Sequence, residues 1–191
     1  MTKNNVDVEP VAIVLAAGAA TRFGGGKQIA PVDGVPMLAR VCTAVGAAWN
    51  GRRIAVLGDR ADEVAEVVPL DWEVVRCAEW ERGPGASLRA GLAAAPDAQA
   101  ALVVLGDLPW LDPVAVERVA AAGRSGVAAA RATDGGRPGH PVWIGSALID
   151  AARAAPDEGL RSLLAAAPTE PVTCDGLGVC DDVDRTADLP H

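Results

Sequence analysis

The chain has 191 residues, 50% of them hydrophobic, with 17 Lys plus Arg against 25 Asp plus Glu and a formal net charge of −8. That length suits one domain over residues 1–191 with a sizeable core, residues 1–10 forming a flexible N-terminal extension. The acidic balance excludes a general nucleic-acid binder, which needs a basic face, but leaves room for a locally basic site that takes small anions.

Val11 to Ala16 is a continuous β-prone run, the mark of a strand buried on both faces. A glycine-punctuated loop follows, from Ala17 to Lys27. Ile29 to Val32 is short and apolar, and Asp33-Gly34 is a turn signal. Pro36 opens a helix whose Met37, Leu38, Val41, Val45 and Ala48 recur at near-helical spacing. Arg53 to Leu57 reads as a second strand, Asp62 to Val68 as a short helix and Trp72 to Cys77 as a third strand. Gly83-Pro84-Gly85 breaks the chain before a helix over Ala86 to Ala95. Ala101 to Leu105 is another fully apolar strand, stopping at Gly106-Asp107. Asp112-Pro113 is a helix start, with Asp as cap and Pro at the first position. Val127 to Ala130 and Pro141 to Ile144 read as strands, with a polar loop over Thr133 to Gly139 between them. Helices are predicted over Ser146 to Ala154 and Glu158 to Ala166, ahead of a tail ending in the acidic Asp181-Asp182-Val183-Asp184.

Strands alternating with helices predict a mostly parallel sheet covered on both faces. Ligands in such sheets sit beyond the C-terminal strand ends, near a switch in strand order. The loops after Ala16, Cys77 and Leu105 fall at such ends.

Within the first loop, Gly18, Gly24, Gly25 and Gly26 free backbone N–H groups to face an anion. Arg22 can fork onto a phosphate and Lys27 adds a point charge. A Walker A loop is excluded because Gln28 follows Gly26-Lys27, and the dinucleotide fingerprint fails at Gly18-Ala19-Ala20. Asp107, directly after a buried strand, is a rigidly placed carboxylate of the kind that holds Mg²⁺ together with phosphate oxygens, or else a turn aspartate. The tail carboxylates offer a second metal ligand, or a solvated turn. Gly83 and Ser87 stand at a helix N-terminus, where Ser87 either caps the helix or meets a nucleoside. His140, fenced by Gly139 and Pro141, reads as a loop histidine able to donate to a phosphate or a heterocycle, or to act as an acid or base.

The cysteines at 42, 77, 174 and 180 form no Cys-x-x-Cys pair, and His140 and His191 are the only imidazoles, so zinc is not expected and the thiols read as reduced and structural. With no Tyr and one Phe, base stacking falls to Trp or aliphatic side chains. No apolar run approaches the roughly 20 residues of a membrane span. The N-terminus lacks the pattern of a signal peptide, so the expected location is the cytoplasm, with no membrane partner.

The order of these signals resembles the MobA-like NTP transferase family, most closely its molybdenum cofactor cytidylyltransferase branch. The family opens with Leu-Ala-Ala-Gly-x-Ser-x-Arg-Met-Gly-x-x-Lys; here Leu15, Ala16, Ala17, Gly18, Arg22, Gly24 and Lys27 stand in register. The chain departs at Ala20, where Ser is usual, and at Phe23 for Met. Gly106-Asp107-Leu108-Pro109 is similar to the family's Gly-Asp-x-Pro, and Gly83 to Leu88 to its nucleoside-contacting Gly-x-x-x-Ser-Leu. Pro138-Gly139-His140-Pro141 matches the branch's Pro-Gly-His-Pro, near the acceptor pterin. Asp182 to Leu189 resembles the tail Asp-Ile-Asp-Thr-Pro-Glu-Asp-Leu, with Arg185 and Thr186 replacing Thr and Pro.

The resemblance implies a three-layer α/β/α sandwich with a mostly parallel, doubly wound, Rossmann-like sheet of the nucleotide-diphospho-sugar transferase type. It implies a Mg²⁺-dependent nucleotidyltransferase moving NMP onto a phosphorylated acceptor and releasing pyrophosphate. Asp107 and Asp184 would hold the metal, and Lys27 and Arg22 the triphosphate. Leu15, Ala16, Ala17, Gly18, Gly24, Gly83, Ser87 and His140 would line the ligands. Ala17 favours CTP over GTP, and His140 favours molybdopterin as acceptor, with transient contact to a molybdoenzyme. A guanylyltransferase, a transferase for another phospho-acceptor, a non-catalytic chaperone of a molybdoenzyme and an oxidoreductase, since some relatives carry redox names, stay open.

Overall fold

In the computed structural model, residues 9–154 and 159–189 are described. The two fully apolar runs pair near the sheet's centre as expected, β1 (Val11–Ala16) with β6 (Ala100–Leu105), and β4 (Arg53–Leu57) lies on the other side of β1. A short antiparallel ribbon, β2 (Pro31–Val32) and β3 (Val35–Pro36), turns at Asp33-Gly34 and leads into α1 (Met37–Ala48). The other elements are α2 (Ala61–Ala65), β5 (Glu73–Arg76), α3 (Pro84–Ala94), α4 (Pro113–Arg124), β7 (Ala129–Asp134), β8 (Arg137–Gly145), α5 (Ser146–Ala154), α6 (Leu160–Ala165) and β9 (Thr169–Thr173).

The sheet order is β5-β4-β1-β6-β8-β7-β9. Only β8 runs against its neighbours: it pairs antiparallel with β6 and β7, while the other pairings are parallel. Alternate residues of β1 face opposite layers. Ala12, Val14 and Ala16 pack with α1 and α4, whereas Val11 and Ile13 pack with α3, α5 and α6. This is the three-layer α/β/α sandwich. Burying both faces demands the continuous apolar runs seen in β1 and β6.

Several boundaries differ from the sequence reading. The expected polar loop over Thr133 to Gly139 is a β-hairpin. Gly135 and Gly136 take φ 56° and 80°, so the turn tightens to two residues and Asp134 pairs with Arg137. The polar residues there are the exposed end of a ribbon, which composition does not separate from a loop. Helix α3 starts at Pro84, two residues early, because Pro suits a first helical position. Helix α2 is shorter than the predicted Asp62 to Val68, and the predicted start of α6 at Glu158 lies outside the described residues, as does most of the 1–10 extension.

Candidate active site

The order of the strands changes direction between β1 and β6: the chain proceeds from β1 to β4 on one side, and β6 is laid down on the other. The Gly18 loop leaves β1 and Gly106-Asp107 leaves β6 at this switch, where open α/β sheets bind ligands. Gly106 permits the approach. Its N–H donates to Leu15 O at 2.9 Å, and a Cβ there would stand 2.8 Å from Ala16 Cβ.

The loop is shaped by its own backbone. Ala20 holds φ 51°, and Gly24, Gly25 and Gly26 hold φ 98°, 92° and 63°. Ala20 O accepts from the N–H groups of Phe23 and Gly25, which closes the loop into a tight turn. Gln28, buried at 6%, donates through Nε2 to Gly18 O at 2.7 Å and Ala16 O at 3.2 Å. That side chain ties both sides of the loop together. The sequence reading gave it no role, since a Gln after a Gly-Lys pair was read only as the departure from Walker A.

Lys27 is drawn in rather than waving in solvent, its side chain only 11% exposed. Its Nζ lies 2.8 Å from Asp107 Oδ2, 3.7 Å from Asp184 Oδ1, and donates to Val183 O at 2.7 Å. Arg22 Nη1 stands 3.1 Å from Asp184 Oδ2, more exposed at 73% of its side chain. The structure therefore brings together four predicted residues: Arg22 and Lys27 from the first loop, Asp107 from β6 and Asp184 from the tail. The tail is pinned by Val183 N–H donating to Asp107 O at 3.0 Å. Asp188 accepts from the N–H groups of Arg185 at 2.7 Å and Asp184 at 2.9 Å, and these two donors hold its carboxyl below its usual range. Thus the tail, despite Arg185 and Thr186, is shaped around the backbone of Asp184.

Asp107 Oδ1 is buried and accepts no hydrogen bond among the described residues. A buried carboxylate oxygen left open beside a second carboxylate fits a hard cation. Among the described residues no group of three or more His, Cys, Asp or Glu gathers to hold a metal ion. Two carboxylates alone match the Mg²⁺ pattern, in which substrate phosphates and water complete the shell. Leu15, Ala16, Gly18, Ala20, Gly106 and Asp107 line a depression of about 100 Å³ beside Lys27.

A larger cleft of about 600 Å³ adjoins the loop at the ends of β4 and β5, lined by Gly58, Arg60, Arg76, Cys77 and Trp80 among others. Gly58 packs against Ala17 O and the Trp80 ring so closely that no side chain fits there. Gly83, at φ 107°, caps α3 from beside this cleft and donates to Trp80 O at 3.0 Å. Ser87 does not cap α3; it lies inside the helix and is only 3% exposed.

His140 is corrected most. It belongs to β8, not to a loop, and precedes a cis bond to Pro141. Its Nδ1 lies 3.3 Å from Val103 O, and its N–H donates to Val179 O at 2.9 Å. Burial pushes its imidazole down to about 4; the Val103 contact and Asp182 oppose the shift, while Arg131 adds to it. His140 is therefore a neutral ring between the carboxylate cluster and Arg131, not a free acid. All four cysteines are unbridged, and burial, with help from Asp71, pushes the Cys42 thiol up to about 12.

A glycine-punctuated loop carrying Arg22 and Lys27, with two carboxylates at a sheet switch, is the arrangement of a nucleotidyltransferase-type site. Residues 12–172 match the model of the MobA-like NTP transferase domain, and the chain belongs to that family. It is 30% identical over 189 residues to the nicotine blue oxidoreductase of Paenarthrobacter nicotinovorans, covering 93% of each. It is 38% identical over 114 residues to the molybdenum cofactor guanylyltransferase of Rhodobacter capsulatus, covering 60% of this chain and 57% of that one. The chain spans 22% of the bifunctional protein GlmU of Rubrobacter xylanophilus, at 37% identity over 103 residues. Among solved structures it resembles Rv0371c of Mycobacterium tuberculosis H37Rv, with a TM-score of 0.82, 28% identity and coverage of 94% of this chain and 95% of that one. Rv0371c in complex with manganese also matches, with a TM-score of 0.77, 26% identity and the same coverage.

Proposed function

We propose that the chain transfers a nucleotidyl group, CMP from CTP, to a phosphorylated acceptor, with molybdopterin the favoured one, in the cytoplasm. The observation that carries this reading is the cluster of Lys27, Asp107 and Asp184, with Arg22 on its rim and Asp107 Oδ1 open. A phosphate oxygen of the acceptor attacks the α-phosphorus and forms a new P–O bond. The bond from the α-phosphorus to the bridging oxygen breaks, and pyrophosphate leaves with that electron pair. The loop N–H groups, Arg22 and Lys27 meet the charge that builds on the pyrophosphate. Asp107 and Asp184 would hold Mg²⁺, which would supply Lewis acidity toward the phosphates; the manganese complex of Rv0371c supports a divalent ion as cofactor. Positioning does the rest, since no protein nucleophile is needed.

The cleft beside Trp80 supports a nucleoside site, with the indole as the stacking surface the composition leaves available. The choice of CTP rests on Ala17, and the guanylyltransferase of Rhodobacter capsulatus keeps GTP as the competitor. A thermal-shift panel of CTP, GTP, ATP and UTP with MgCl₂ tests this. A nucleotide at 100 times its dissociation constant adds about 2.7 kcal/mol. CTP is expected to give the largest shift; no shift with any of the four overturns the reading.

A second reading, an oxidoreductase, is favoured by one observation: the relative matched along 93% of both chains is named for oxidoreduction. A visible absorbance spectrum of the purified protein, with NAD(P)H consumption on quinonoid dyes, separates the two. Flavin absorbance or dye reduction without pyrophosphate release favours this second reading.

A further inference from the structure

The strands beyond the carboxylate cluster carry a second basic recess. Arg131, Thr133, Pro138, Arg161, Leu164 and Pro171 are the main lining of a pocket of about 370 Å³ between β7, β9 and α6. Among the described residues its wall holds two guanidinium groups and no carboxylate. Arg131 donates only to backbone, from Nε to Gly139 O at 2.9 Å and more loosely to Pro138 O at 3.5 Å. Arg161 has neither a hydrogen bond nor an ion pair among the described residues, and its charge lowers the Arg131 guanidinium further after burial does.

Two arginines side by side with no carboxylate against either among the described residues stand out on a chain with a net charge of −8, where acids are plentiful. Elsewhere several exposed arginines meet acids, Arg52 with Glu73, Arg60 with Glu63 and Arg76 with Asp62, while Arg118 and Arg137 donate to backbone carbonyls. Holding two like charges together without a counter-ion costs energy that an anionic ligand returns. Leu164, Pro138 and Pro171 add apolar walls, so the complement is an anion attached to an apolar or planar body.

The location ties this recess to the transfer site. The register Val103–Val142–Arg131 puts Arg131 two strands from β6, a lateral offset of roughly 10 Å. Pro138 lies nearer the end of the sheet that carries Asp107, since β8 runs antiparallel to β6. His140 belongs to β8, the strand between β6 and β7.

We propose that the Arg131–Arg161 pocket is an acceptor subsite, and that the acceptor carries a second anionic group remote from its reacting phosphate. This rests on the transferase reading for the word acceptor; the anion site itself does not. The bulk of the acceptor lies over His140, with its reacting phosphate at Asp107 and its far anion between the two guanidinium groups.

Phenylphosphonate, a dianion on a planar apolar body, is the probe. In ¹H–¹⁵N spectra of the full chain it is expected to move the Nε–H signals of Arg131 and Arg161 and the amides of Thr133 and Leu164. Arg161→Gln should weaken this binding at least five-fold, and Arg161→Lys should recover part of it. Arg131 is left in place because it also holds the backbone at Gly139. Shifts confined to the Gly18–Lys27 loop, or equal binding to the parent and Arg161→Gln, overturn the subsite. In turnover, Arg161→Gln is expected to raise KM for the acceptor about ten-fold while KM for the NTP stays within two-fold; an unchanged acceptor KM also overturns it. If no acceptor yields pyrophosphate, the transferase reading fails by itself, and the phenylphosphonate titration still judges the anion site.

Discussion

Lys27 Nζ lies 2.8 Å from Asp107 Oδ2, although 80 positions separate the two residues. The same ammonium reaches Asp184 at 3.7 Å. Two carboxylates that would otherwise repel each other are held together by one cation. Bringing a divalent ion to them and a triphosphate to Lys27 exchanges partners without leaving a charge uncovered.

Removing either carboxylate should stop the chemistry and spare the fold. Asp107→Asn and Asp184→Asn are expected to lower pyrophosphate release on the order of 10²–10³-fold, with circular dichroism unchanged. Parental turnover in either variant would contradict the metal assignment.

Lys27→Met tests the exchange directly. It leaves Asp107, whose side chain is 23% exposed, without its cation, and the expected loss of stability is about 1–3 kcal/mol. MgCl₂ alone should then raise Tm more in Lys27→Met than in the parent, because Asp107 loses its cation and Arg22 at Asp184 is the one counter-charge kept by the pair among the described residues. An equal Mg²⁺ response in both proteins would mean that Asp107 and Asp184 do not share the ion. KM for the NTP should rise as well.

The stability of the chain should depend on His140 in mild acid. Its imidazole titrates near 4 when folded, against 6.5 for the ordinary side chain. The unfolded chain therefore binds a proton that the folded one refuses between those values. The contribution is complete above about pH 6.5 and fades as pH falls toward 4, by roughly 3 kcal/mol at most. Urea midpoints of the parent and His140→Gln, compared from pH 7 to 4.5, should show a steeper fall in the parent. Parallel curves would exclude a depressed imidazole.

Gly106→Ala should be costly out of proportion to one methyl group. The added Cβ meets Ala16 Cβ at 2.8 Å and Leu15 O at 3.2 Å, where the two central strands carry the loop and the carboxylate. A loss of about 1–3 kcal/mol is expected from such overpacking. Activity should fall further than stability, since Asp107 is displaced. A midpoint within experimental error of the parent would show that the strand ends yield freely.

Much of the frame is local and was legible in the residues. Val11–Ala16 and Ala100–Leu105 are uniformly apolar because both faces are covered, and Asp112 caps α4 through Val114 N–H at 2.8 Å as its Asp-Pro start predicts. Gly18, Arg22, Lys27 and Asp107 stand out in the sequence, because glycine spacing and a carboxylate after a buried strand are signals carried in a few residues, whereas Asp184 is picked out of the acidic tail only by its resemblance to the family's tail motif. His140 was misread as a loop residue since Gly-His-Pro punctuation looks alike in a turn and in a strand beside a cis bond.

What the sequence by itself determined, then, is the set of strands and the chemical types gathered at their ends. Only the tertiary structure decided which charges meet: that Lys27 faces Asp107 and Asp184, that Gln28 closes the loop, and that Arg131 and Arg161 share a pocket free of acids among the described residues. The physical reason is range. Strand and cap preferences act over a few residues, whereas an ion pair depends on sheet order and register, which are set by packing between segments far apart in the chain.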